Sequence, residues 1–390
     1  MSVYHWLVVL ILLCGLFMRG QRNRNYKFIL ISAVLLFCVL GLRDAYSIGG
    51  DSSSSYLHQF QRMEGKEWSD LGGPFDWIQD LEAQTGRDDK NAGLPYVMKL
   101  VYDLTDGDYQ VFITLISFFV ILANAHLIKK YSNAPLQSVL YFLGLLYFTF
   151  HFNALKQSVA MVFILYSFDA IVDRRPVKFL ILLALASIFH YPSLVFLPAY
   201  WIGNMKLGRN YIFLLSLLLA LVFLFRDRIV ELMADAYYGE DSGHAVTTDT
   251  RFFMNKVIVM LVIIAAALVI RPPHPSDRVY CSLLALMGIA TVLQTFAAYG
   301  NIFERLADYY FQFSIVFIPL VFENVQAKRQ YLETQTLYLI RNYGPYLFCA
   351  FAIWRFLNST MNDATIYPYQ FYFQAEKPED SLSIIQSFMR

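Results

Sequence analysis

The run VKFLILLALASIFHYPSLVFLPAYWI, residues 177–202, decides how the rest of the chain threads. Read as one helix, it crosses a bilayer once, leaving Arg226 and Arg228 inside and Arg271, Arg278, Lys328 and Arg329 outside. Broken at His190-Tyr191-Pro192 into two half-spans, it returns the chain to the side it came from. The basic loops 19–27, 129–130, 173–178, 206–209, 271–278 and 328–341 then fall on one side, as the positive-inside rule requires. Proline removes a backbone donor, and here it follows a polar pair, so a break at this point has a chemical cause. The broken hairpin is therefore the reading adopted.

That a bilayer is the solvent follows from composition. Hydrophobic residues make up 57% of the 390 positions and charged residues 16%, against about 25% charged in an ordinary soluble domain. A net charge of +1 argues against an electrostatic nucleic-acid binder. The high aromatic content, 34 Phe and 27 Tyr, suits bilayer interfaces and sugar clefts alike. Cys14, Cys38, Cys281 and Cys349 all lie in apolar runs with no zinc-site spacing, so they read as small buried hydrophobes and no metal is expected.

Apolar stretches at 3–18, 28–42, 109–128, 136–150, 154–172, 177–189, 193–202, 211–225, 252–270, 279–298, 306–322 and 343–357 predict an all-α bundle of about 11–12 membrane segments. The first lacks a preceding basic region and reads as a start-anchor helix with an external N-terminus. The chain is then one integral membrane domain, 1–390. It exposes three features on the same side: a loop at 43–108 with short helices, of which 94–104 is the clearest amphipathic stretch; a second loop at 226–251; and a tail at 358–390. The turns at 151–156 and 300–305 emerge there too.

Polar residues gather toward that side. Gly41-Leu42-Arg43-Asp44 is followed by Gly49-Gly50-Asp51 and Tyr56. Arg43 is either a snorkelling anchor or an anion-binding fork, and the two glycines permit close backbone approach to a ligand. Asn153, Lys156 and Gln157 stand at helical spacing where the chain re-enters the membrane, offering one charge and two amides to hydroxyls and phosphate; an interfacial lysine is the plain alternative. His190, at the break, is either a satisfied hydrogen-bonding residue or a proton acceptor near neutral pH. Glu304-Arg305, Asp308 and Tyr309 enter a late helix, where Arg305 and Asp308 are spaced to pair. Tyr367-Pro368-Tyr369 reads as an aromatic cap that folds back. No Walker, dinucleotide, GxSxG or HExxH motif occurs.

These elements together resemble the Wzy/EpsG-type polysaccharide polymerases of bacterial cell membranes. The carriers are Gly41-Leu42-Arg43, Gly50-Asp51, Tyr56, Asn153 with Lys156-Gln157 and Ala160, His190-Tyr191-Pro192-Ser193-Leu194, Arg305 with Tyr309, and Tyr367-Pro368-Tyr369. The resemblance implies a GT-C-like membrane glycosyltransferase that polymerises undecaprenyl-diphosphate-linked oligosaccharides outside the cytoplasm, the same lipid-linked units serving as donor and acceptor. It further implies no cofactor, nucleotide sugar or metal, and a flippase and a chain-length regulator as partners. Arg43, Lys156 and Arg305 are then the cations for a leaving diphosphate, and His190 is the base, with Asp51 second. Tyr56, Asn153, Gln157, Glu304, Tyr309, Tyr367 and Tyr369 line the substrate. Many relatives carry Arg where this chain has Lys156, which keeps the charge but loses the bidentate fork. A ligase acting on another acceptor, a membrane O-acyltransferase using His190, and a lipid-linked oligosaccharide flippase are the other readings. The intramembrane charges are few and lie at one end, unlike a flippase cavity, and His190 lacks the second polar partner an acyltransferase needs.

Overall fold

The computed structural model describes residues 2–18, 23–73, 93–208, isolated positions between 211 and 228, 250–270, 274 and 276–299, 301–323 and 335–375. Most of the expected span 211–225, most of the loop 226–251 and the tail beyond 375 lie outside the described residues. In chain order the helices are α1 (Val3–Phe17), α2 (Arg24–Gly41), α3 (Gly50–Ser53), α4 (Ser55–Gln61), α5 (Gly93–Thr105), α6 (Tyr109–Tyr131), α7 (Pro135–Gly144) and α8 (Tyr147–Phe150). There follow α9 (Leu155–Val172), α10 (Pro176–Phe189), α11 (Ala199–Gly203), α12 (Thr250–Ile270), α13 (Arg278–Gln294), α14 (Asn301–Phe311), α15 (Ser314–Val321) and α16 (Gln335–Asn362). The fold is all-α, and no strand occurs among the described residues.

Among the described residues, four helical stretches are long and apolar enough to cross a bilayer: α2, α6, α9 and Arg278–Ala297, which contains α13. The 23 residues of α6 span about 34 Å at 1.5 Å per residue, enough for the hydrocarbon layer. Asp108 caps its start, accepting from the Gln110 and Val111 amides at 2.8 and 3.3 Å, and Lys129 and Lys130 occupy its last turn, each charge matched to the helix dipole. α9 and Arg278–Ala297 are 72% and 78% buried against 39% for α2, so the former two form the centre and α2 the rim. Outward faces carry Leu30, Val34, Phe118 and Leu122, all about half exposed, whereas Ser167, Gln294 and Gln312 are buried. Apolar outside and polar inside is the arrangement lipid selects.

The 177–202 run is broken, as its sequence predicts. α10 ends at Phe189 with His190 as its C-cap, and a 3-10 turn over Tyr191–Phe196 and then α11 carry the chain back. Asn204 donates to the Ile171 carbonyl at 3.1 Å and accepts from Arg174 Nε at 3.3 Å, so the hairpin begins and finishes beside the α9–α10 turn.

Two other expected spans are interrupted. The 136–150 stretch stops at Gly144, and Leu146 takes a positive φ of 68° before α8. Gly144 lies so close to Ala352 of α16 that a side chain there would collide with its backbone, and its carbonyl accepts from Arg355 Nη1 at 3.1 Å. The 306–322 stretch divides at residues 312–313 into α14 and α15. The 94–104 amphipathic stretch lies within α5, with Leu94, Met98 and Val101 buried. Its Gly93 abuts Ile188 just before the break. The four cysteines are free thiols of intermediate exposure, not fully buried as expected, because each sits on a partly outward helix face.

Candidate functional site

The first turn of α9 is the organising point. Its amide dipoles put partial positive charge at the helix start, and Lys156 adds a full one. Gln157, 2% exposed, donates through Nε2 to the Arg305 carbonyl at 2.7 Å, tying α14 to this turn; its Oε1 is buried with no hydrogen-bond partner. Arg305 and Tyr309 are four apart on α14 and share a face. The Tyr309 hydroxyl lies 2.7 Å from His190 Nδ1, the ring centres 6.1 Å apart. His190 is 6% exposed and sits in the break, outside both flanking helices. Burial, then the positive charges of Arg305 and Lys156, hold its imidazole neutral. Thus three segments, the start of α9, α14 and the break, bring His190, Tyr309, Arg305, Lys156 and Gln157 together. The Tyr310 hydroxyl fastens the break to α14 by donating to the Val195 carbonyl at 2.6 Å.

The Arg43 group adjoins this cluster. Arg43 is completely buried; it donates to the carbonyls of Ile48 at 3.3 Å, Phe152 at 3.4 Å and Leu40, and its guanidinium stands 4.8 Å from the Phe152 ring centre. Burial lowers its pKa to about 10, so it remains cationic at neutral pH. The expected anion fork is occupied by backbone, and Arg43 acts as a strut joining the end of α2, the 44–49 loop and the approach to α9. Gly49 takes φ +103°, and a Cβ there would sit 2.6 Å from the Phe152 carbonyl oxygen, so only glycine fits.

The tail folds back over this loop as expected. Gly49 N donates to Thr365 O at 2.7 Å, Asp44 N to Gln370 O at 3.0 Å, and Tyr372 N to Leu42 O at 3.1 Å. Tyr369 donates to the Val39 carbonyl at 2.8 Å, whereas Tyr367 is 38% exposed and follows no such clamp role. Asn153, half-buried, places its unpartnered Oδ1 about where a Cβ on Gly50 would meet it, at 3.4 Å. Asp51 is exposed on the four-residue α3, and Tyr56 is half-buried on α4.

Sequence reasoning missed two residues. His151 bridges the groups: its Nδ1 lies 2.8 Å from Ser158 Oγ on α9, Nε2 is buried without a partner, and the Arg43 charge acts on it. Arg355 of α16, whose charge acts on Tyr147 together with Asp308 and Glu304, is the other. A lone arginine within the apolar 343–357 run was the available signal for the latter. The Glu304 charge thus acts on Arg355 and Tyr147, one residue from Arg305 of the His190 cluster.

A family model, the EpsG family, matches residues 2–371. The chain belongs to the EpsG family. Membership covers both the His190 cluster and the folded-back tail up to Phe371, and it makes this chain a polysaccharide-polymerase-type, multi-pass membrane protein with glycosyltransferase-like character. No curated protein and no solved structure matches the EpsG-family chain.

Proposed function

We propose that this EpsG-family protein transfers a growing glycan from a lipid diphosphate, of the undecaprenyl type, to a hydroxyl of another lipid-linked repeat unit at the extracytoplasmic face of the bacterial cell membrane. The observation that carries the reading is the His190–Tyr309 pair set beside Arg305 and Lys156 at the start of α9. Orientation is supported by charge: the site lies at the opposite end of α9 from Arg174 and Arg175, and basic turns favour the cytoplasm.

In this scheme the acceptor oxygen attacks the anomeric carbon, and the carbon–oxygen bond to the diphosphate breaks. The lipid diphosphate leaves with the bonding pair, and the hydroxyl proton passes to His190. The tautomer required has Nδ1–H donating to the Tyr309 oxygen, which leaves Nε2 as acceptor. Arg305 and Lys156 meet the charge that develops on the leaving group, a role that needs no metal ion. Their charges also oppose protonation of His190 until the anionic donor offsets them, so donor binding and base strength are coupled. Asn153 and Gln157 present unpartnered buried oxygens that suit sugar hydroxyls. Arg43 supports the wall of the site from behind. A flippase that delivers the lipid-linked units and a chain-length regulator are the partners this reaction needs.

The test is conversion of purified lipid-linked repeat units to longer glycan, read by gel and mass. His190→Gln, which preserves a hydrogen bond to Tyr309, is expected to lower turnover by about two to four orders of magnitude while donor binding persists. Normal turnover in that variant would remove the base from position 190.

A further inference from the structure

The ends of α2 and α6 remote from His190 enclose a second site. A groove of about 440 Å³ runs between these helices, walled by Ala33, Val34, Phe37, Phe118, Leu122 and Tyr166. At its mouth Tyr26, Ile29 and Lys129 are shared with a polar vestibule of about 450 Å³ that adds Asn23, Arg24, Asn25 and Ser132. The residues lining groove and vestibule include the cations Arg24 and Lys129 and no carboxylate. Lys129 Nζ stands 5.0 Å from the Tyr26 ring centre, while the neighbouring Lys130 is turned away to Asp169 at 2.9 Å. Behind the groove, Ser32 is 1% exposed with its Oγ unpartnered, in a recess that shares Ile29, Ala33, Ile121 and Ala125 with it.

An apolar slot open to lipid, headed by two cations, has the polarity of one phospholipid molecule. The volume falls in the range of about 300–1,000 Å³ typical of ligand sites, and basic pockets between membrane helices hold anionic headgroups. We propose that this groove binds an anionic glycerophospholipid, its acyl chain lying between Phe37 and Phe118 and its phosphate meeting Lys129 and Arg24. The headgroup end of the groove, at Lys129, lies where α6 meets Asp169 at the end of α9 opposite the His190 cluster, so this lipid is neither donor nor acceptor in the polymerisation.

Native mass spectrometry and thermal unfolding of the full chain in detergent, with added phosphatidylglycerol or phosphatidylcholine, test the proposal without any polymerase assay. Phosphatidylglycerol is expected to stay bound and raise Tm, and phosphatidylcholine to do neither. Arg24→Ala with Lys129→Ala should cut retained phosphatidylglycerol on the order of tenfold with Tm unchanged in its absence. Lys129→Gln alone, a milder change, should already weaken retention. Ala33→Phe should displace the lipid by filling the slot while both cations remain. Equal retention of the two lipids, or full retention by Lys129→Gln, would overturn the headgroup assignment. Retention unaffected by Ala33→Phe yet displaced by inorganic phosphate would reduce the site to an anion patch and overturn the lipid.

Discussion

The two ends of α9 carry one histidine cluster each, and the clusters are built on opposite principles. At the far end both oxygens of Asp169 are engaged: His126 Nε2 at 3.1 Å and Lys130 at 2.9 Å on one, Tyr131 at 2.6 Å on the other. Three groups on α6 thereby close a polar joint with α9. At the near end His190 has a tyrosine and two cations as neighbours. Around it the buried Gln157 Oε1, Asn153 Oδ1, His151 Nε2 and Ser193 Oγ have no hydrogen-bond partner. Burying such groups unmet costs about 1–3 kcal/mol each, a cost that a structural joint avoids and a substrate-binding cleft recovers when its ligand arrives. The difference teaches where to look for chemistry: not at the densest ion cluster, but where buried polar atoms are left for something else.

The widest break in the comparison is expected at the two arginines of the near end. Arg305→Ala should lower turnover about a hundredfold or more in a protein that still folds, since only its carbonyl is held by Gln157. Arg43→Ala should instead remove the folded protein, because the Leu40, Ile48 and Phe152 carbonyls lose their donor together. Arg43→Lys should not restore it, as an ammonium cannot reach three diverging acceptors in a plane. Detergent gel filtration beside the turnover assay separates the two outcomes. A well-folded but inactive Arg43→Ala protein would return Arg43 to the diphosphate.

A pH profile sharpens the same comparison. The neutral form of His190 is the active base, and its folded pKa is lowered, so the free protein keeps that form well into the acid range. Donor binding offsets Arg305 and Lys156 and raises the pKa. The acid limb of kcat should therefore lie at higher pH than the acid limb of kcat/KM. Coincident limbs would show that no such coupling exists.

Much of this contrast could be read from the sequence, and the missing parts have physical causes. Basic loops and Pro192 sufficed for the broken hairpin, because charge asymmetry and a missing amide are local properties. The polar residues His190, Tyr309, Arg305, Lys156 and Gln157 stand out in apolar runs, which is why they were candidates. Arg43 was also visible, but its burial depends on a tail whose Tyr369 reaches back to Val39 across 330 positions, and no local pattern encodes that. The same holds for Gly144, where α7 stops because α16 passes against it. His151 was hidden by its aromatic neighbours Phe150 and Phe152, which make the stretch read as interfacial.

At the far end, Asp169→Asn should lower thermal stability by about 1–3 kcal/mol and leave turnover per folded molecule unchanged. The carboxamide still accepts from Tyr131 but no longer balances Lys130. Unfolding followed in detergent, beside the glycan assay, checks both halves. A turnover loss matching that of Arg305→Ala would mean the two ends are not independent.

The smallest effect is expected at Asp51, the second candidate for the base. Its carboxylate is exposed at the start of α3, a four-residue turn, whereas His190 is buried at the start of a fastened break. An exposed carboxylate is held by solvent, and on a short surface turn it is not positioned against a buried acceptor hydroxyl. Asp51→Asn keeps the shape and the hydrogen-bonding edge while removing the charge, and it should leave turnover within about twofold, the range of surface substitutions. Because the fold change expected is so small, a large one is unambiguous. A loss of about a hundredfold, with the Asp51→Asn protein running as a single species in detergent and His190→Gln retaining activity, would place the base on the 44–53 loop. The unpartnered atoms around His190 would then hold sugar hydroxyls without taking part in proton transfer, and the near end would be a binding surface with its chemistry one loop away.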